Sequence, residues 1–169
     1  MIIICKNIIY IYIITMQIKY HDLPFGAQLL LWTSRLSING SCRTNPNKYD
    51  LINLAYEKVG IEKGSILLNN FLFFLKKMKI LNLQPICSQC LTQIELNLIY
   101  CINEHMKEKI NNEYFIKMWC LDNVEEHFTN SAKSLAIAFK NANLNTNIDL
   151  HSKSFLHEGQ LYELNNTLH

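Results

Sequence analysis

Glycine and proline are scarce in this chain, whose 169 residues include five glycines and three prolines. No glycine-rich phosphate loop is present, which excludes the common nucleotide-binding motifs. An excess of one charge is also missing, because 16 basic and 14 acidic residues leave a formal net charge of +2. Mixed charges of this kind give no broad field that would attract DNA, RNA or an anionic membrane. Binding to DNA, RNA or a membrane would therefore have to use a local patch of charge.

A hydrophobic run long enough to cross a bilayer is missing too. Residues 1–15 (MIIICKNIIYIYIIT) are strongly apolar but contain Lys6 and Asn7, and they are shorter than the roughly 20 apolar residues of a spanning helix. A secretory signal would carry positive charge before the apolar run and small residues at a cleavage site. We therefore expect no stable membrane insertion. We interpret residues 1–15 as an untranslated or appended segment outside the main fold, with Met16 as the natural start.

The cysteines do not form the framework of a small secreted protein. A chain of this length can bury an ample core without disulfides or a metal ion. The six cysteines are irregularly spaced, at Cys5, Cys42, Cys87, Cys90, Cys101 and Cys120. This usage predicts reduced thiols and a cytoplasmic protein.

Hydrophobic residues at helical spacing are abundant. Between residues 121 and 142 they recur at alternating steps of three and four, at Leu121, Val124, Phe128, Ala132, Leu135, Phe139 and Ala142. This is one stripe of an α-helix, and similar stripes run from Phe25 to Leu144. The sequence thus predicts an all-α, single-domain bundle of about six helices over residues 16–144, followed by a polar, loosely ordered tail at 145–169.

Several residues mark where these helices begin and end. The predicted helices are Phe25–Ile38, Tyr49–Val59, Glu62–Lys79, one opening at Thr92, Asn112–Cys120 and one starting near Asp122. Gly60 is expected to end the second helix in the left-handed conformation. Pro85 enforces an extended connector, and Thr92 with Glu95 has the form of a capping box. In the third helix the expected inward residues are Ile66, Leu67, Phe71, Phe74, Leu75 and Met78.

Cys87-Ser-Gln-Cys90 is the motif that most clearly suggests chemistry. Two thiolates separated by two residues can bind one metal ion or form a disulfide. Cys101 and His105 would complete a four-ligand zinc set. However, Cys101 lies nine residues into its helix, about 14 Å along the axis, so convergence needs a folded-back connector. A thioredoxin-type dithiol needs strands that the sequence does not predict. We favour two small, partly buried cysteines without a shared task, with zinc as the possible cofactor.

A second motif lies at the junction of the second and third helices. The segment 54–66 (LAYEKVGIEKGSI) resembles the helix-turn-helix of TetR-type repressors, in which Lys-Gly-Ser/Thr opens the recognition helix. By position, the resemblance implies that Lys63, Gly64 and Ser65 face DNA. The sequence departs from such proteins immediately afterwards, because Leu67 to Phe74 is far more apolar than a helix lying in a major groove.

A further resemblance covers most of the chain. The segment Asp22 to Arg35 (DLPFGAQLLLWTSR) is similar to the opening of an uncharacterised family of small helical bacterial proteins. In that family a cysteine-containing connector and a Ser/Thr-x-x-Glu helix start follow, here Cys87 to Glu95. The resemblance spans about Asp22 to Leu144 and implies an α-helical domain. It implies no catalytic residues.

The sequence therefore points to a binding protein rather than to an enzyme. We expect a non-enzymatic accessory or protein-interaction module that binds a protein partner or itself, because no polar site is assembled among its amphipathic helices. Two alternatives stay open. One is DNA binding through a helix-turn-helix at 49–75, and the other is a zinc-binding or redox role for Cys87 and Cys90.

Overall fold

The computed structural model describes residues 18–40, 47–77, 81–107 and 126–148. The described residues form a helical bundle of five α-helices: α1 (Phe25–Asn39), α2 (Lys48–Lys58), α3 (Gly64–Lys77), α4 (Gln93–Met106) and α5 (Glu126–Asn141). A 3-10 turn, Tyr20–Asp22, precedes them. The predicted all-α class is confirmed. The count here is five rather than six, and the predicted helix Asn112–Cys120 lies outside the described residues, as do residues 1–15 and most of the predicted tail.

The helix ends follow from local sequence. The side chain of Asn47 accepts a hydrogen bond from the Tyr49 amide (3.2 Å) at the start of α2, and Gly60 follows α2 with a φ of +78°. At the start of α4 the Thr92 hydroxyl accepts from the Glu95 amide (3.2 Å), while the Glu95 carboxylate accepts from the Thr92 amide (2.9 Å). The predicted left-handed glycine and capping box are both confirmed.

Helix α1 is central, because it contacts α2, α3 and α4, while α5 packs on α3 and α4. Aromatic contacts join these layers: the Phe71 and Phe128 rings stack at 5.7 Å, and Tyr56 meets Phe139 edge-on at 6.0 Å. In the part of the chain that the structure describes, no helix has both the length and the apolarity needed to cross a bilayer.

The buried face of α3 differs from the one expected. Ile66 was predicted to point inward, yet its side chain is 55% exposed, and the fully buried residues of α3 are Leu68, Phe71, Leu72 and Leu75. These four lie at the spacing i, i+3, i+4, i+7 of one helical stripe. Apolar residues surround almost the whole of α3, so periodicity alone could not select the face. Packing against α1, α2 and α5 selects it.

Gly64, the first residue of α3, permits the close crossing of α2 and α3. A β-carbon added at Gly64 would lie 2.2 Å from Cγ of the Tyr56 ring. Tyr56 itself is fully buried, and its hydroxyl lies 3.0 Å from the Thr33 hydroxyl of α1. Glycine at this position therefore serves helix packing, since any side chain would push the Tyr56 ring out of place.

The packed domain extends beyond the predicted boundary at Leu144. Thr146 is buried, and its hydroxyl donates to Oδ1 of Asn103 (3.4 Å) in α4. The Asn145 carbonyl oxygen comes so close to Gly26 that a β-carbon there would lie 2.5 Å from it. Residues 145–148, predicted as the start of a loose tail, thus pack against both α1 and α4.

We predict that Gly64→Ala lowers the free energy of unfolding by about 1–3 kcal/mol, because the new methyl group collides with the Tyr56 ring. Urea titrations followed by circular dichroism measure the change. Lys133→Ala, on the exposed face of α5, is the control and should stay within about 0.5 kcal/mol of the parent. Equal stability of Gly64→Ala and the parent would contradict the packing role.

Candidate functional site

The most organised polar cluster in the described chain is built around Arg35 of α1 and Glu95 of α4. Both side chains are completely buried. The guanidinium Nε donates to Oε1 of Glu95 (2.7 Å) and Nη2 donates to Oε2 (3.0 Å), so the pair is bidentate. This geometry gives strong, directional hydrogen bonds in a region that excludes water.

The remaining contacts of Arg35 fix the connector between α3 and α4. Nη1 donates to the Ser88 carbonyl (2.7 Å), and Nη2 donates to the Cys90 carbonyl (2.9 Å). The guanidinium carbon also lies 5.4 Å from the centre of the Tyr20 ring, a cation–π contact,. One arginine therefore joins α1, α4, the connector and the N-terminal turn.

Both carboxylate oxygens of Glu95 also accept hydrogen bonds from the backbone. Besides Arg35, its Oε1 accepts from the Gln84 amide (3.0 Å) and its Oε2 accepts from the Thr92 amide (2.9 Å). The carboxylate thus caps α4 and holds the connector at the same time. Because each charge is paired and hydrogen-bonded, the cluster holds α1, α4 and the connector together,.

Sequence analysis identified Glu95 as a cap but missed its pairing with Arg35. One sequence feature could have revealed this pairing. Arg35 is the single charged residue of α1, and apolar residues occupy most of the circumference of that helix. An arginine in such a helix has to find a buried partner. Both segments of the proposed family resemblance, Asp22 to Arg35 and Cys87 to Glu95, meet at this contact, although the resemblance itself stays a prediction.

The four sequence-predicted metal ligands do not come together. Cys87 and Cys90 are exposed on the connector, not partly buried as expected, while Cys101 and His105 are buried in α4. Among residues 18–40, 47–77, 81–107 and 126–148, no three His, Cys, Asp or Glu side chains gather as a metal site would require. Cys87 and Cys90 remain a candidate pair by themselves.

Cys101 and His105 instead contact each other within α4. Nδ1 of His105 lies 2.7 Å from the Cys101 carbonyl oxygen, to which the neutral ring donates. Burial lowers the pKa of His105 from its usual value of 6.5, and burial raises the pKa of the Cys101 thiol well above its ordinary value. Both side chains are therefore uncharged near neutral pH and belong to the core.

The three residues predicted to face DNA are not presented together. Lys63 is exposed with a positive φ of 55°, whereas Gly64 and Ser65 are buried. The solvent-facing residues that follow on α3 include Ile66 and Phe73. Asn70, Lys76 and Lys77 of α3 are exposed as well, so apolar and polar side chains share its solvent-facing surface, unlike the polar face of a helix that lies in a major groove.

An open groove runs between α3 and α5, with a volume of about 390 Å³. The α3 wall is largely apolar and the α5 wall is polar; the lining residues are Leu67, Asn70, Phe73, Phe74, His127, Asn130, Ser131 and Ser134. The Phe74 and His127 rings lie parallel across the groove with centroids 6.4 Å apart. The Phe73 side chain is 59% exposed at its edge. Sequence analysis placed Phe74 in the core and did not identify this surface.

Comparisons of the chain with protein-family models, with curated proteins and with solved structures found no match in any of the three.

We predict that Arg35→Lys lowers the free energy of unfolding by about 2–4 kcal/mol, because lysine cannot serve the carboxylate and two carbonyls in this planar arrangement. Chemical denaturation measures the loss. Lys107→Ala, which breaks an exposed ion pair with Glu104 (3.1 Å), should cost less than about 1 kcal/mol. Similar losses in both variants would contradict the importance of the buried pair.

We also predict that acidification destabilises the protein through His105. Its pKa is lowered in the folded state, so the unfolded chain binds a proton first as pH falls through about 6.5, and stability declines until the folded-state pKa is passed. His105→Gln, which keeps a donor for the Cys101 carbonyl, should reduce this decline between pH 7.5 and 5.5. The measurement is the unfolding free energy at each pH. The same substitution at the exposed His127 is the control, and an unchanged pH dependence in His105→Gln would refute the prediction.

Proposed function

We propose that this chain is a non-enzymatic protein-interaction module and that the groove between α3 and α5 is its binding surface. The observation that carries the proposal is the exposure of Phe73, 59%, on the apolar wall of that groove. Large aromatic side chains that stand in solvent beside a concave surface are typical anchors of protein interfaces. A partner that covers Phe73 would remove its apolar surface from water.

The chemistry of the two walls favours an amphipathic helix as the partner segment. On α3 the groove is lined by Leu67, Asn70, Phe73 and Phe74, which share one face of the helix and are apolar except for Asn70,. Hydroxyl and amide groups of Asn130, Ser131 and Ser134 form the other wall. A helix with one apolar and one polar face would contact both walls simultaneously.

The buried ionisable side chains hold the fold together through contacts with each other and with the backbone. This supports a binding role for the protein over a catalytic one. Arg35 and Glu95 bind each other, and His105 contacts the backbone of its own helix. DNA binding through Lys63, Gly64 and Ser65 is the less favoured alternative, since two of those residues are buried.

The location and the origin of the protein are also proposals. We place the module in the cytoplasm, where the exposed Cys87 and Cys90 thiols would stay reduced,. Membership of the uncharacterised bacterial family stays a prediction from the residues quoted above.

The experiment replaces Phe73 with a photo-crosslinking phenylalanine analogue in cells that produce the protein. We expect a discrete cross-linked product, which mass spectrometry identifies. Phe25, which is 61% exposed at the start of α1 and does not line the groove, is the matched position. The same products at both positions, or none at Phe73, would contradict the assignment of the groove.

Purified components then test the energetics. Phe73→Asp should weaken binding of the identified partner at least about tenfold, as expected for loss of a central aromatic anchor. Phe25→Asp should leave the affinity unchanged. Thermal unfolding of both variants shows whether a loss of binding comes from the surface or from the fold.

A further inference from the structure

Hydrogen bonds hold the backbone of the Cys87 and Cys90 loop in place, while both cysteines are exposed. The Ser88 amide donates to the Pro85 carbonyl (2.9 Å) and closes a turn around Cys87. The Cys90 amide donates to the Ser88 hydroxyl (3.2 Å). On the inner side, the Ser88 and Cys90 carbonyls accept from Arg35. The two thiols are therefore carried by a fixed loop at the protein surface.

A second contact ties this loop to the N-terminal turn. The Tyr20 amide donates to the Gln89 carbonyl (2.9 Å), and Lys19 forms an antiparallel bridge with Cys90. Residues directly opposite each other in such a bridge lie close together. Lys19 is exposed, and its backbone lies opposite that of Cys90.

Two thiolates are half of a structural zinc site. Zinc bound by cysteine is tetrahedral and takes four ligands, with Zn–S distances of about 2.3 Å. Cys101 and His105, the ligands that the sequence suggested for completion, are buried in α4 and engaged with each other. A second copy of the chain carries an identical exposed pair, and a two-fold axis through the metal ion would place all four sulfur atoms around it.

We propose that Cys87 and Cys90 form half of a zinc site, and that two copies of this chain share one Zn²⁺ through four cysteine thiolates. Each thiol loses its proton as it binds, so four protons are released for each ion. Four thiolates and one Zn²⁺ carry a net charge of −2. Lys19, whose backbone lies opposite Cys90 in each copy, carries a charge of the sign that attracts this site. This inference is independent of the groove between α3 and α5.

Zinc content and molecular mass of the full chain test the proposal. Reduced protein is incubated with excess Zn²⁺, desalted, and analysed by elemental analysis and sedimentation. We expect about one zinc ion for two chains. We also expect a dimer that dissociates into monomers when a chelator removes the zinc. Co²⁺ in place of Zn²⁺ should give the intense visible absorption of a tetrahedral thiolate site.

Two sets of variants identify the ligands. The double variant Cys87→Ser, Cys90→Ser should lose both the metal and the metal-dependent dimer, and its thermal unfolding curve should match that of the metal-free parent, because both side chains are exposed,. Replacing Cys5, Cys42 and Cys120 with serine should leave metal content and mass unchanged. One zinc ion per chain, zinc binding without a change in mass, no zinc above the double variant, or loss of zinc in the triple variant would each overturn the proposal.

Discussion

The pairing of Arg35 with Glu95 is the constraint on which the arrangement of this bundle depends. Two charges removed from water are tolerable only when almost every donor and acceptor is used. Arg35 meets this condition with the Glu95 carboxylate and two connector carbonyls, and Glu95 meets it with Arg35 and two connector amides. These requirements can be met together only when α1, α4 and the connector are correctly placed. The pair thus specifies one packing of the helices as well as stabilising it.

Local features of the fold were readable from the sequence, and long-range ones were not. Gly60 and the Thr92–Glu95 capping box were predicted correctly because each involves neighbouring residues, whose backbone preferences and hydrogen bonds are local. The start of α1 at Phe25 was predicted for the same reason. Contacts between distant segments, such as Arg35 with Glu95 or Thr146 with Asn103, leave no periodic pattern.

The candidate site shows the same division. The spacing of Cys87 and Cys90 marked them as a pair, but neither their exposure nor the contact of their loop with Arg35 has a local sequence signal. The groove was missed because α3 has apolar residues on nearly every side, so the stripe that faces solvent could not be separated from the buried one. Phe71 and Phe73 illustrate the difference, since two residues of the same type and two positions apart have opposite roles.

The close approach of Gly26 to Asn145 has a consequence for biosynthesis. Gly26 lies in the first turn of α1, whereas Asn145 is among the last described residues, so this contact spans nearly the whole domain. Chains emerge from the ribosome at about 5–20 residues per second. The contact at the N-terminal end of α1 therefore forms at least several seconds after α1 itself has been synthesised. Until residues 144 and 145 follow, the backbone around Gly26 lacks this packing, so the N-terminal end of α1 is among the last parts of the described domain to complete its contacts.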